Sequence, residues 1–218
     1  MNRARHLAIV FGWCLALGLS GCIGGPKANC EIHFAPESRF ASIEPHYVPT
    51  NYGFFWTNWN ADGEIYWARV LISTTDITEQ ERAHLIREEL TQSLGLMNDS
   101  YAHADSVFYQ EWTDVTQYSP ADTRVIGMLY SDLVSPDMTR EQAAEALSKR
   151  YTEEAIDYFS ELAFGAEYGS GEPRLHRWTE DLVIAVRGDP SAADRAALDE
   201  VVHDLNEIIE DLQIKVID

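Results

Sequence analysis

Arg87-Glu88-Glu89-Leu90-Thr91-Gln92-Ser93-Leu94-Gly95-Leu96-Met97-Asn98-Asp99 is the stretch on which the fold turns. It reads as the last turns of a helix that stops at a glycine. Upstream, Thr78 with Glu81 three residues on forms a capping box, in which a hydroxyl and a carboxylate satisfy two of the free N–H groups that open a helix. Ala83, Leu85, Ile86, Leu90 and Leu94 supply its apolar positions, and Gly95 is the residue type that closes helices. His84, Glu88 and Gln92 recur every four residues, which places them in one polar stripe.

Working outward, Cys30-Glu31-Ile32-His33-Phe34 alternates as a strand does, and Tyr66 to Ser73 reads as a second strand entered through an Asp62-Gly63 turn. Between them, Tyr47 to Trp67 is turn-rich and crowded with aromatic residues. Beyond the central stretch, a loop from Met97 to Pro120 leads to a short helix at about Ala121 to Tyr130. Thr139-Arg140-Glu141-Gln142 opens another helix, expected to run into Phe164. Leu182 to Val186 is a continuous apolar run typical of an interior strand. Ser191 then caps a periodic helix through Leu198, Val201, Val202 and Leu205, and Ile214 to Ile217 is a last strand. Strand, helix, strand in that order is a crossover unit, so the expected class is α/β (α+β), a mixed twisted sheet packed with helices.

The chain has 218 residues and a net charge of −20, with 36 acidic residues against 16 Lys and Arg. Nucleic acid is excluded as a partner, because phosphate contacts need a basic face. Its apolar content of 45% suffices for a buried core.

The N-terminus carries its own signal. Arg3 and Arg5 precede an uncharged run from Leu7 to Leu19, the length of a secretory leader and too short to span a bilayer. Leu19-Ser20-Gly21-Cys22 resembles a bacterial lipobox, which implies a leader over residues 1–21, a lipidated Cys22 and a tether over 22–27. Loss of Arg3 and Arg5 would take the charge from −20 to −22. Ile23 follows the cysteine where an inner-membrane lipoprotein commonly has Asp, so the expected place is the outer membrane, facing the periplasm. Cys30 is then the one thiol left, and its apolar setting reads as a buried small hydrophobe.

The central stretch resembles the metzincin zinc helix, His-Glu-x-x-His-x-x-Gly-x-x-His, when the family glycine is laid on Gly95. The catalytic glutamate position then falls on Glu89 and the three zinc-histidine positions on Glu88, Gln92 and Asn98. Ser106-Val107-Phe108-Tyr109 resembles the Met-turn, with Phe108 in place of methionine. The stretches Phe40-Ala41-Ser42-Ile43-Glu44-Pro45, Tyr52-Gly53-Phe54-Phe55-Trp56 and Asn98-Asp99-Ser100 resemble the bacterial family called domain of unknown function 2927. The resemblance implies a single zincin-like domain over 28–218, but not its activity. Zinc hydrolases use imidazoles and an occasional carboxylate, whereas the positions here carry a carboxylate and two carboxamides, which suit a hard cation better.

The expectation is therefore no cofactor and no metal, with zinc or calcium held by His84, Glu88 and His103 as the weaker alternative. His84 is expected to be a partly exposed surface residue, with Glu88 and Gln92 hydrogen-bonded inside a former cleft. Glu89 reads either as a general base in that cleft or as the partner of Arg87 or Arg124. Trp56 and Trp59 could line a groove for peptide or glycan, with Tyr109 a further binding candidate, although packing is the commoner use of such a tract. Zincins take substrate as an added strand along a sheet edge, and Tyr66 to Ser73 is the expected edge.

In a zincin the strand-helix-strand unit precedes the zinc helix; here Leu182 to Ile217 comes last. Phe159 to Tyr168 likewise resembles the beginning of the unknown-function domain. The order reads as a circular permutation of halves 28–150 and 151–218, which requires Ile217 and Asp218 to lie near Ala28 and Cys30. The expected function is that of a lipid-anchored envelope pseudopeptidase, binding a peptide, a glycan or an envelope protein. The alternatives are a hydrolase with Glu89 as general base and a purely structural lipoprotein.

Overall fold

A computed structural model describes residues 27–165 and 174–217. Six strands and six α-helices follow one another as β1 (Cys30–Ala35), α1 (Phe40–Ile43), β2 (Gly53–Trp59), β3 (Glu64–Ser73), α2 (Glu79–Gln92), α3 (Pro120–Leu129), α4 (Arg140–Leu147), α5 (Glu153–Phe164), β4 (Arg177–Trp178), β5 (Leu182–Gly188), α6 (Ala192–Ile208) and β6 (Ile214–Ile217). They form one mixed sheet in the order β2-β3-β1-β5-β6, with the two-residue β4 paired to the start of β3. Only β2 runs antiparallel to its neighbour; β1, β3, β4, β5 and β6 pair in parallel.

The two faces of the sheet differ. Cys30, Ile32 and Phe34 of β1, Val70 and Ile72 of β3 and Ile184 of β5 join the helices in one large core. Their neighbours point the other way, as the period of two requires. Phe54, Trp56 and Leu71 meet Phe40 and Tyr47 from the 36–52 segment in a second, smaller core. This explains why β2 has no polar alternation in its sequence: both of its faces are buried.

Two expectations change and a third holds. Tyr66 to Ser73 lies inside β3, which pairs with both β2 and β1, so the edge strand on that side is β2. The helix expected from Thr139 to Phe164 is two helices, because Thr152 accepts the Ala155 N–H as a second N-cap and restarts the chain at Glu153. The expected crossover is present, β5 and β6 being parallel and joined by α6. Its register places Ile217 beside Ala185, and Ala185 beside Glu31, so the end of β6 and the start of β1 are about 10 Å apart across two strand spacings.

Candidate functional site

Helix α2 begins as expected, with Thr78 and Glu81 in a reciprocal capping box. It ends before Gly95, whose φ of +127° only glycine holds without strain. A side chain there would also collide with the carbonyl oxygen of His176. What the sequence did not show is that every residue from His84 to Gln92 is buried. The helix is enclosed by β2, β3, α6 and the 110–118 segment. Each polar side chain along it therefore needs a partner.

Those partners lie in different directions. Arg87, 1% exposed, turns to α6: its Nη1 donates to Asp204 Oδ2 at 2.6 Å, Glu200 lies at 3.5 Å, and the guanidinium stacks on the Tyr118 ring. It is not the partner of Glu89, and Arg124, the other candidate, is exposed on α3. His84 is fully buried, contrary to expectation. Its Nδ1 is 2.6 Å from the Val115 carbonyl, so that nitrogen carries a proton, and its Nε2 is 3.3 Å from Glu88 Oε2. Gln92 donates to Asp99 Oδ1 at 2.6 Å, and Gln110 donates to Oδ2 of the same carboxylate at 3.3 Å. Asn98 donates from Nδ2 to the Glu161 carbonyl at 2.9 Å, near the end of α5. Glu89, 7% exposed, faces β2; a Cβ added at Gly53 would collide with its Oε1.

Of the three positions that zinc would need, the two amides are engaged by other groups, Gln92 by Asp99 and Asn98 by the Glu161 carbonyl. Among the described residues no group of three or more His, Cys, Asp or Glu could hold a metal ion. His103 is not in the set with His84 and Glu88. It meets Tyr158 edge to face and lines an open groove of about 490 Å³ with Glu153, Glu154, Asp157 and Glu161. By their donor chemistry, a carboxylate and two carboxamides do not fit a zincin's zinc.

The Met-turn-like segment is held by residues that the sequence reading missed. Asp122, fully buried at the start of α3, accepts from Ser106 Oγ at 2.6 Å, from the Val107 N–H at 3.2 Å and from the Ser119 N–H at 2.9 Å. The Tyr158 hydroxyl lies 2.8 Å from Ser106 Oγ, which also accepts the Phe108 N–H at 2.9 Å. Burial raises the Asp122 carboxyl above the usual aspartate range despite these donors. The Ser119-x-x-Asp122 capping box was the one visible signal.

The aromatic tract is mostly packing. Trp56, 3% exposed, is covered by the His46 ring at 3.8 Å and 4°, so it does not line an open groove. Trp59, partly buried, stacks on His176 at 4.2 Å. Burial lowers the pKa of His176 to about 4. Tyr109 is half-buried against the exposed Tyr101. Cys30 is buried with its thiol pushed up to about 12, as an inert hydrophobe would be. Cys22 lies outside the described residues, among which no helix is long and apolar enough to cross a membrane.

The sequence model of the family described as "Protein of unknown function (DUF2927)" matches the chain in two segments, residues 18–149 and 152–218. No curated protein and no solved structure matches it.

Proposed function

The chain belongs to the DUF2927 family, and from that premise we propose that it is a lipid-anchored, periplasm-facing envelope protein whose zincin-like domain binds an envelope peptide, glycan or protein without cleaving it. The observation that carries the reading is the donor set at the three zinc-histidine positions: a carboxylate, Glu88, and two amides already engaged by the protein, Gln92 with Asp99 and Asn98 with the Glu161 carbonyl. A zinc hydrolase needs donors converging on one ion with a place left for water.

Other observations support the parts of this reading. Zincins take peptide along a sheet edge, and the edge strand beside α2 is β2, with Gly53 against Glu89. The break in the family match, between 149 and 152, coincides with the junction a permutation would create. The short gap between Ile217 and Glu31 is the one its unpermuted loop would bridge. A net charge of −20 favours attachment by lipid over attachment by charge, because anionic headgroups repel an acidic surface.

Complementation in cells lacking the gene tests both halves. Glu89→Gln should retain function, and Cys22→Ser should shift the protein from the membrane to the soluble fraction. Membrane retention of the Cys22→Ser protein would overturn the anchor. Loss of function by a folded, correctly placed Glu89→Gln protein would overturn the non-catalytic reading.

A further inference from the structure

The segment from Gln110 to Tyr118 lies across α2 without being part of any helix or strand, and none of its nine residues is buried. Its two ends are fixed. Gln110 donates its N–H to the Ser100 carbonyl, and Ser119 donates to Asp122, the same carboxylate that binds Val107. Asp122 therefore closes the base of a loop, as in a compact Ω-loop.

Between those ends, among the described residues, no main-chain hydrogen bond joins residues 111–118 to the rest of the protein. The ties run through side chains: hydrogen bonds from Trp112 Nε1 to Glu81 at 2.9 Å, Gln80 to the Asp114 carbonyl at 3.4 Å, His84 to the Val115 carbonyl, Gln117 to Glu200 at 2.6 Å and Tyr118 to Thr91 at 2.6 Å, with the half-buried Trp112, Val115 and Tyr118 packed against the main core. Thr91 already donates to the Arg87 carbonyl, so the Tyr118 hydroxyl is the donor in that last bond. Beneath the loop lie His84, Glu88 and Thr91, spaced four and three residues apart on one face of α2 and all buried.

We propose that residues 110–118 form a displaceable strap, which opens by local unfolding about its Asp122-closed base and bares the His84–Glu88–Thr91 face of α2 while the sheet stays folded. A segment with no buried residue and no main-chain ladder has the makeup of the low-stability end of a protein. Its base and the helix below have the opposite makeup. The opening is independent of whether the domain binds, cleaves or does neither.

The test compares two clocks in the full-length protein. Carbethoxylation of His84 by diethyl pyrocarbonate, followed by peptide mass spectrometry, reports access to the buried imidazole. Amide hydrogen exchange of β1 reports global unfolding. His84 should react at least tenfold faster than global opening allows. Tyr118→Phe and the exposed-side Gln117→Ala should each speed its reaction several-fold, with β1 protection unchanged. Reaction of His84 only at the β1 rate in the wild-type protein would overturn the strap, and so would variants that accelerate both clocks equally.

Discussion

Replacing Gly53 by alanine probes where the Glu89 carboxylate lies. An added Cβ would collide with Glu89 Oε1 and meet Leu85 Cδ2 at 2.8 Å and Glu89 Cγ at 2.9 Å. Both side chains are buried, Leu85 completely, so neither can swing into water. Forcing a methyl into such a site costs about 1–3 kcal/mol. Gly53 has no positive φ, so backbone strain adds nothing, and a strand glycine replaced in open space would instead gain about 0.5–1 kcal/mol. The sign of the change thus discriminates. For a domain of this size each kcal/mol moves the melting temperature by about 2–4 °C, so a midrange 2 kcal/mol cost gives a drop of about 4–8 °C by circular dichroism. In a Glu89→Ala background at least half of that drop should vanish, leaving the Leu85 contact. An unchanged or raised melting temperature for Gly53→Ala, or the same drop in both backgrounds, would refute the placement of Glu89 against β2.

Asp122→Ala strands the donors of Ser106, Val107 and Ser119, and at about 1–3 kcal/mol for each buried unsatisfied group it should lower denaturant stability by several kcal/mol. Because the folded-state pKa of Asp122 is raised, its contribution is full below the ordinary value of 3.8 and is lost as the pH rises through the raised value. Asp122→Asn should accordingly lose less stability than the wild type over that rise, followed by urea titration at stepped pH. Asp204→Ala leaves the buried Arg87 guanidinium with the weaker Glu200 contact and should cost about 3–5 kcal/mol, much of it recovered in Arg87→Met/Asp204→Ala. Cys30 should react with a thiol reagent only as fast as the protein unfolds, in stopped-flow absorbance.

Local signals carried the starts of α2, α4 and α6, since the capping residues of each lie within four residues of sequence. The parallel β5-α6-β6 unit was legible for the same reason, its strands being short apolar runs around a periodic helix. β2 was hidden because Phe54 and Trp56 enter one core while Phe55 enters the other, so no polar alternation marks it. The state of His84 was also hidden, because the Val115 carbonyl that buries it is 31 residues away in sequence. Asn98 is held by a carbonyl 63 residues on. The motif stretch showed which residue types occupy the ligand positions; only the packing shows which partners Gln92 and Asn98 take up.

Metal content of the protein purified without chelator tests the metal-free reading of these positions most directly. The protein should carry well under one zinc or calcium per chain by mass spectrometry, and the same content after Glu88→Ala or Gln92→Ala. One zinc per chain that disappears with either substitution would contradict that reading.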